Sequence, residues 1–120
     1  MFHIFCKSKI QGLKVTKAEL YYEGSITLDA KLLEAADIKE HEKVEVLNIN
    51  NGTRLETYAI KAKKGSGCVC LNGPAARCGN VGDRLILLCY GMLDDKELKK
   101  AKMRIVKTDE RNRIKNSYLR

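Results

Sequence analysis

Tryptophan is absent from this chain, and aromatic residues make up only 6% of it. That is thin material for the stacking surfaces on which single-stranded nucleic acids are held. No stretch approaches the roughly 18 consecutive apolar residues of a membrane-spanning helix. The opening MFHIFCKSKI has no charged leader, no sustained apolar segment and no small-residue cleavage site. No signal peptide is therefore expected, and the protein is expected in the cytoplasm. Histidine occurs only at positions 3 and 41, and nothing in the sequence sets either beside a serine, so a Ser-His-Asp triad has little support. His41 lies within the charged run KEHEK and reads as a surface residue. The five cysteines, Cys6, Cys68, Cys70, Cys78 and Cys89, are odd in number and irregular in spacing, which argues against a disulfide framework. They offer C-x-C and scattered partners instead of the paired C-x-x-C of a zinc site, so no metal is expected. Small buried thiols in a reducing compartment are the better reading.

What is present is a single domain's worth of material: 120 residues, 44% of them hydrophobic. The formal charge of +8 is unevenly spread. Residues 1–60 hold eight Lys or Arg against nine Asp or Glu, whereas residues 96–120 hold ten against three. A basic C-terminal stretch of this kind is ordinarily a solvated tail. It leaves open one non-enzymatic reading, a small barrel that binds nucleic acid or another acidic partner through its C-terminus.

Short strands separated by turn signals account for most of the chain. Phe2–Ile10 and Leu13–Tyr22 are rich in β-branched and aromatic residues, with Gly12 between them. Ser25–Leu28 continues extended, and Asp29 reads as the N-cap of a helix in KLLEAA, with Leu32, Leu33 and Ala36 on one face. Val44–Ile49 and Arg54–Ala62 read as strands joined by a tight Asn-Gly hairpin turn within NNG at 50–52. Gly65-Ser66-Gly67 reads as a second hairpin turn leading into Cys68–Leu71. Residues 72–79 read as a loop with one helical turn, and Arg84–Tyr90 as a strand buried on both faces. Asp94–Lys102 fits a short helix capped by Asp94 or Asp95, and Arg104–Lys107 a late strand. Residues past about Arg113 are expected to fray. The pattern implies a small, mostly β barrel with two or three short helices.

One segment resists a purely architectural reading. In LYYEGSITLD, residues 20–29, a Gly-Ser pair interrupts a continuous extended stretch, where glycine ordinarily weakens a strand or marks a close backbone approach. Around it stand further motifs: Lys9; Tyr22-Glu23-Gly24-Ser25-Ile26-Thr27-x-Asp29; Asn51-Gly52-x-Arg54-x-x-Thr57-Tyr58; Asn72-Gly73-Pro74-Ala75-Ala76; and Gly82-Asp83. In this order and spacing, over roughly residues 1–107, the chain resembles the precursors of pyruvoyl-dependent L-aspartate alpha-decarboxylases. Departures fall at Gln11, Tyr21 and Leu47, where characterised members carry histidine or tryptophan.

The resemblance implies a double-psi β-barrel assembled as a homotetramer, with active sites between subunits. It implies self-cleavage between Gly24 and Ser25 into a β chain, 1–24, and an α chain, 25–120, whose Ser25 becomes a covalent pyruvoyl group. It further implies decarboxylation of L-aspartate to β-alanine through a Schiff base to that group, feeding pantothenate and coenzyme A biosynthesis. Ser25 and Tyr58 would then be catalytic, Tyr58 returning a proton to the α carbon. Thr57 would meet the oxyanion of self-cleavage. Gly24, lacking a Cβ, would permit strained geometry at the scissile bond. Lys9, Arg54, Thr57, Asn72, Gly73, Pro74 and Ala75 would bind substrate, and Tyr22 would pack or hydrogen-bond beside the cleavage site. Neither nucleic acid nor membrane is implied as a partner, and a maturation helper is left open.

Overall fold

The computed structural model describes residues 1–120. Nine strands are present: β1 (His3–Lys14), β2 (Lys17–Glu19), β3 (Ser25–Asp29), β4 (Lys43–Asn48), β5 (Arg54–Ala62), β6 (Val69–Asn72), β7 (Arg84–Leu93), β8 (Arg104–Thr108) and β9 (Ile114–Leu119). Two short helices, α1 (Ala30–Ala35) and α2 (Asp95–Lys100), and a 3-10 turn over Gly73–Arg77 complete it. The hydrogen-bonded order is β2-β6-β3-β5-β4-β7-β1-β8-β9. Because β1 runs into β2 through Val15 and Thr16, the two ends of the β2-to-β1 stretch are one piece of chain, and the sheet closes into a ring. Two parallel pairs, β2 with β6 and β3 with β5, interrupt an otherwise antiparallel ring. This is the mostly β barrel expected from the sequence, and the mixed six-stranded ring fits the double-psi layout. Its interior is filled by alternate residues of each strand, among them Ile10, Ile26, Leu28, Val46, Leu71 and Leu87.

Several local expectations are corrected. Gly12 does not separate two strands: it sits at a bulge within β1, at φ +92°, where a Cβ would lie 2.8 Å from the Thr108 carbonyl oxygen. Leu20 to Tyr22 are bends outside any strand. The Asn-Gly loop is wider than a two-residue turn. Gly52, but not Asn51, takes a positive φ, and its N–H reaches back to the Asn48 carbonyl at 2.9 Å. The Gly65–Gly67 turn joins no hairpin, because β5 and β6 lie on opposite sides of β3. β7 alternates, with Leu85, Leu87 and Cys89 inward, and is not buried on both faces. α2 stops at Lys100, with Asp94 and Glu97 forming a reciprocal capping box. The segment past Arg113 does not fray but forms β9 against β8. Buried Asn112 pins its start, its amide nitrogen donating to the carbonyls of Lys14 and Gly67 at 2.9 Å each.

The expected cap at Asp29 is present, and it does more than cap. Its Oδ1 accepts from the N–H groups of Lys31 and Gly65, and its Oδ2 from that of Gly67, each at 2.9 Å. Burial pushes this carboxyl up, but the three backbone donors outweigh it and hold it below the ordinary carboxylate range. A depressed folded-state value means the stabilisation is complete above the unfolded value of about 3.9 and is lost as pH falls through the lower, folded one. Asp29→Ala is expected to cost about 2 kcal/mol at pH 7. In urea unfolding, the gap from wild type should narrow at pH 3; an undiminished gap would assign the cost to packing.

Candidate functional site

β3 begins at Ser25, directly after the bends that carry Tyr22 to Gly24. Its antiparallel register with β6 sets Ser25 opposite Asn72 and Thr27 opposite Cys70. Side chains directly opposite share a face, and so do those two apart along a strand. These four residues therefore form one polar patch, while the intervening pair, Ile26 and Leu71, points into the apolar interior. Ser25 is fully buried and Asn72 nearly so. The Asn72 Nδ2 donates to Ser25 Oγ and to Thr27 Oγ1, both at 2.8 Å, and its Oδ1 accepts from Cys70 Sγ at 3.1 Å. A buried amide thus has both ends satisfied, as buried polar groups require.

The crowding expected at the scissile-bond glycine is found instead at a glycine facing it from another segment. Gly24 has no positive φ, and a Cβ there would make an ordinary 3.5 Å contact with Pro74 Cδ. Gly73 is the position that tolerates nothing larger. It stands at φ +62°, and a Cβ would lie 2.4 Å from the Tyr22 carbonyl oxygen and 2.9 Å from the Gly24 nitrogen. The Gly73-Pro74 pair therefore forms the surface on which the backbone of Tyr22 to Gly24 rests. Tyr22 contributes this main-chain contact, while the residue itself is exposed.

On the other side of β3, the parallel register pairs Ile26 with Ala59. One and two residues back along both strands, that register carries Ser25 to the level of Tyr58 and Gly24 to the level of Thr57. A cleft of about 370 Å³ opens there, lined by Gly24, Leu55, Glu56, Thr57, Tyr58, Pro74, Ala75 and Cys78. The Tyr58 ring meets His41 edge-on, with centroids 6.2 Å apart. The fold thus gathers Gly24, Ser25, Thr57, Tyr58, Asn72, Gly73, Pro74 and Ala75 around one strand end.

Lys9 and Arg54 are not brought there. Arg54 lies four residues before Tyr58 on β5, roughly 13 Å along the strand, and Lys9 lies on β1, three strands and about 14 Å across the sheet. Both belong to the outer face of β1, β7, β4 and β5. The ladders align Lys9, Leu88, Glu45 and Glu56 in one row, and Gln11, Ile86, Leu47 and Arg54 in the next. Arg54 there pairs with Glu45 at 2.8 Å. Beyond these rows the same face exposes Ile4, Tyr90 and Met92.

Sequence reasoning passed over Thr27 and Cys70 as members of the site. The period-two spacing of Ser25 with Thr27, and of Cys70 with Asn72, was visible, but only the β3–β6 register shows that the two pairs meet. Gly82-Asp83 turns out to be architectural, its carboxylate accepting from the Asn48 side chain at 2.9 Å and the Asn80 N–H at 2.8 Å.

Comparison with known proteins gives the family. A family model described as aspartate decarboxylase matches residues 1–115. Among curated relatives, the aspartate 1-decarboxylase of Cytophaga hutchinsonii is 54% identical, over 90% of this chain and 94% of its own. That of Thermoanaerobacter pseudethanolicus is 50% identical, over 97% and 99%. That of Caldicellulosiruptor bescii is 54% identical, over 95% and 89%. Among solved structures, the computationally designed protein msDPBB_sym2 aligns at a TM-score of 0.49 and 14% identity, over 74% of this chain and 99% of its own. At that level nothing further rests on it.

Proposed function

This chain belongs to the aspartate decarboxylase family, and we propose that it converts L-aspartate to β-alanine and carbon dioxide with a pyruvoyl group made from its own Ser25. The observation that carries the proposal is the buried Ser25 hydroxyl, held by Asn72 at 2.8 Å and adjoining a Gly24 that rests on Gly73 and Pro74. Attack of Ser25 Oγ on the Gly24 carbonyl carbon replaces the amide by an ester and frees the Ser25 nitrogen. Thr57, in the same cleft as Gly24, is the donor we assign to the transient oxyanion. Elimination across Cα and Cβ of residue 25 then releases Gly24 as a carboxylate, and hydrolysis of the resulting dehydroalanine with loss of ammonia leaves the pyruvoyl group.

The surroundings fit such a group. Residue 25 stays anchored after scission, since β3 pairs on one side with β6 and on the other with β5. Residues 1–24 stay anchored too, through β1 on β7 and β8 and β2 on β6. The Asn72 amide would hold the group's oxygen, and its carbonyl supplies an electron sink for the pair left behind when carbon dioxide departs. Tyr58, level with residue 25 on β5, is assigned to delivering a proton to the substrate α carbon.

Arg54 presents a planar fork suited to a carboxylate, and Lys9 a second positive charge. Because neither reaches Ser25 within one chain, a second copy must supply them. A homotetramer with active sites between subunits meets that need, and the exposed Ile4, Tyr90 and Met92 beside Lys9 support burial of this face. Thr57, Gly73, Pro74 and Ala75 complete the proposed substrate pocket. The product suits a place upstream of pantothenate and coenzyme A. No helix is long and apolar enough to cross a membrane, and we place the enzyme in the cytoplasm. A barrel acting on nucleic acid through its basic C-terminus is not favoured, since family membership and the buried serine both point to catalysis.

Intact mass of the purified protein tests the reading. Two chains are expected, 1–24 and 25–120, the larger resistant to Edman degradation and reactive toward carbonyl reagents. A single chain with a free serine at position 25 would overturn it.

A further inference from the structure

We propose that Cys70 is a positioning residue for chain scission, its thiol fixing the Asn72 amide with the nitrogen end toward Ser25. The inference rests on the self-cleavage reading and extends it to a residue that contacts neither the scissile bond nor the substrate cleft.

The two ends of an asparagine amide have nearly the same shape, so their orientation is decided by partners. Three groups face this amide: the hydroxyls of Ser25 and Thr27, and the thiol of Cys70. Hydroxyls donate and accept equally well, so neither Ser25 nor Thr27 distinguishes the nitrogen from the oxygen. Cys70 does. Its Sγ stands 3.1 Å from Oδ1, and the residue is buried beside Asn72. Burial pushes the Cys70 thiol up, with neighbouring Cys68 adding to the effect, so the proton needed for donation is retained. With Oδ1 taken by Cys70, only Nδ2 remains for Ser25.

That orientation has a chemical consequence at one step. In the elimination, water admitted to residue 25 once the amide is cut takes the Cα proton, and the Cβ–Oγ bond breaks. Oγ keeps the electron pair and leaves with Gly24 as a carboxylate oxygen. An N–H aimed at Oγ stabilises the charge arriving there, whereas the flipped amide would set a carbonyl oxygen against it. Loss of the Cys70 donor should therefore slow the second step and let the ester accumulate.

The test compares Cys70→Ser, which keeps a donor but is smaller, with Cys70→Val, which fills the space but cannot donate. Scission is followed by intact mass, and hydroxylamine reports the ester by cutting it at Gly24. The expected result is near wild-type scission for Cys70→Ser, and for Cys70→Val a rate lower by about tenfold with an enlarged hydroxylamine-sensitive fraction. Thermal melting monitors the fold, and Cys70→Ala replaces the valine variant should that unfold. Equal rates in all variants, or a slow serine variant beside a fast valine one, would overturn the proposal in favour of packing while leaving self-cleavage intact. If wild type and all variants remain single, hydroxylamine-resistant chains, self-cleavage itself fails and this inference falls with it.

Discussion

Ser25→Ala is expected to accumulate as one uncut chain without decarboxylase activity. The expectation is absolute because the proposed reaction makes the hydroxyl both the attacking group and the precursor of the cofactor; without it there would be neither ester nor pyruvoyl group. No neighbour substitutes. Thr27 Oγ1 lies two residues further along β3, directed at Asn72, and the buried Cys70 thiol is engaged with the far end of the same amide. Solvent cannot replace the hydroxyl either, since Ser25 is fully buried. The fold should survive, because Ser25 is held by main-chain pairing with β6 and its side chain contributes one neutral hydrogen bond, about 1 kcal/mol. Denaturing electrophoresis and a carbon dioxide release assay read the outcome. Two chains from this variant would remove Ser25 from the chemistry.

Tyr58→Phe should separate maturation from turnover. The phenol is assigned to protonating the substrate α carbon, a step that arises only after the cofactor exists. Scission at Gly24 should proceed normally, since the lost oxygen has no part in the attack by Ser25. The ring keeps its edge-on contact with His41 and its place on β5, so the cleft retains its shape. A general acid contributes roughly 10² to 10⁴ in rate, and kcat for β-alanine formation should fall by an amount in that range. KM should change little, because the interaction lost is one made in the transition state. A fully processed variant with wild-type kcat would mean that another group, or water, delivers the proton.

Local elements were legible where one residue type decides a conformation. The Asp29 cap, the helix behind it and the β5 limits at Arg54 and Ala62 follow from propensity and spacing alone. Asn51-Gly52 was correctly a turn but of the wrong width. Asn51 bonds the Thr53 N–H through its own side chain, an alternative a dipeptide rule does not weigh. β9 was missed because its sequence is polar and basic; its order comes from pairing with β8 and from Asn112, whose partners lie 45 and 98 residues away. Gly12 and Gly67 misled for a related reason, since each answers to a distant carbonyl, of Thr108 and Arg111 respectively.

The sequence by itself determined the family, through motif order, and so which serine, tyrosine, threonine and asparagine to propose for its chemistry. Tertiary structure alone decided who meets whom. Ser25, Thr27, Cys70 and Asn72 share a patch because β3 and β6 pair antiparallel in one register, and a shift of one residue would have turned two of the four into the core. The same ladders set Lys9 and Arg54 more than about 10 Å from that strand end, along β5 and across the sheet, so that a single chain holds only part of the proposed site. Strand register is a sum of many weak backbone pairings closed around a ring, and no residue of the sequence carries it alone.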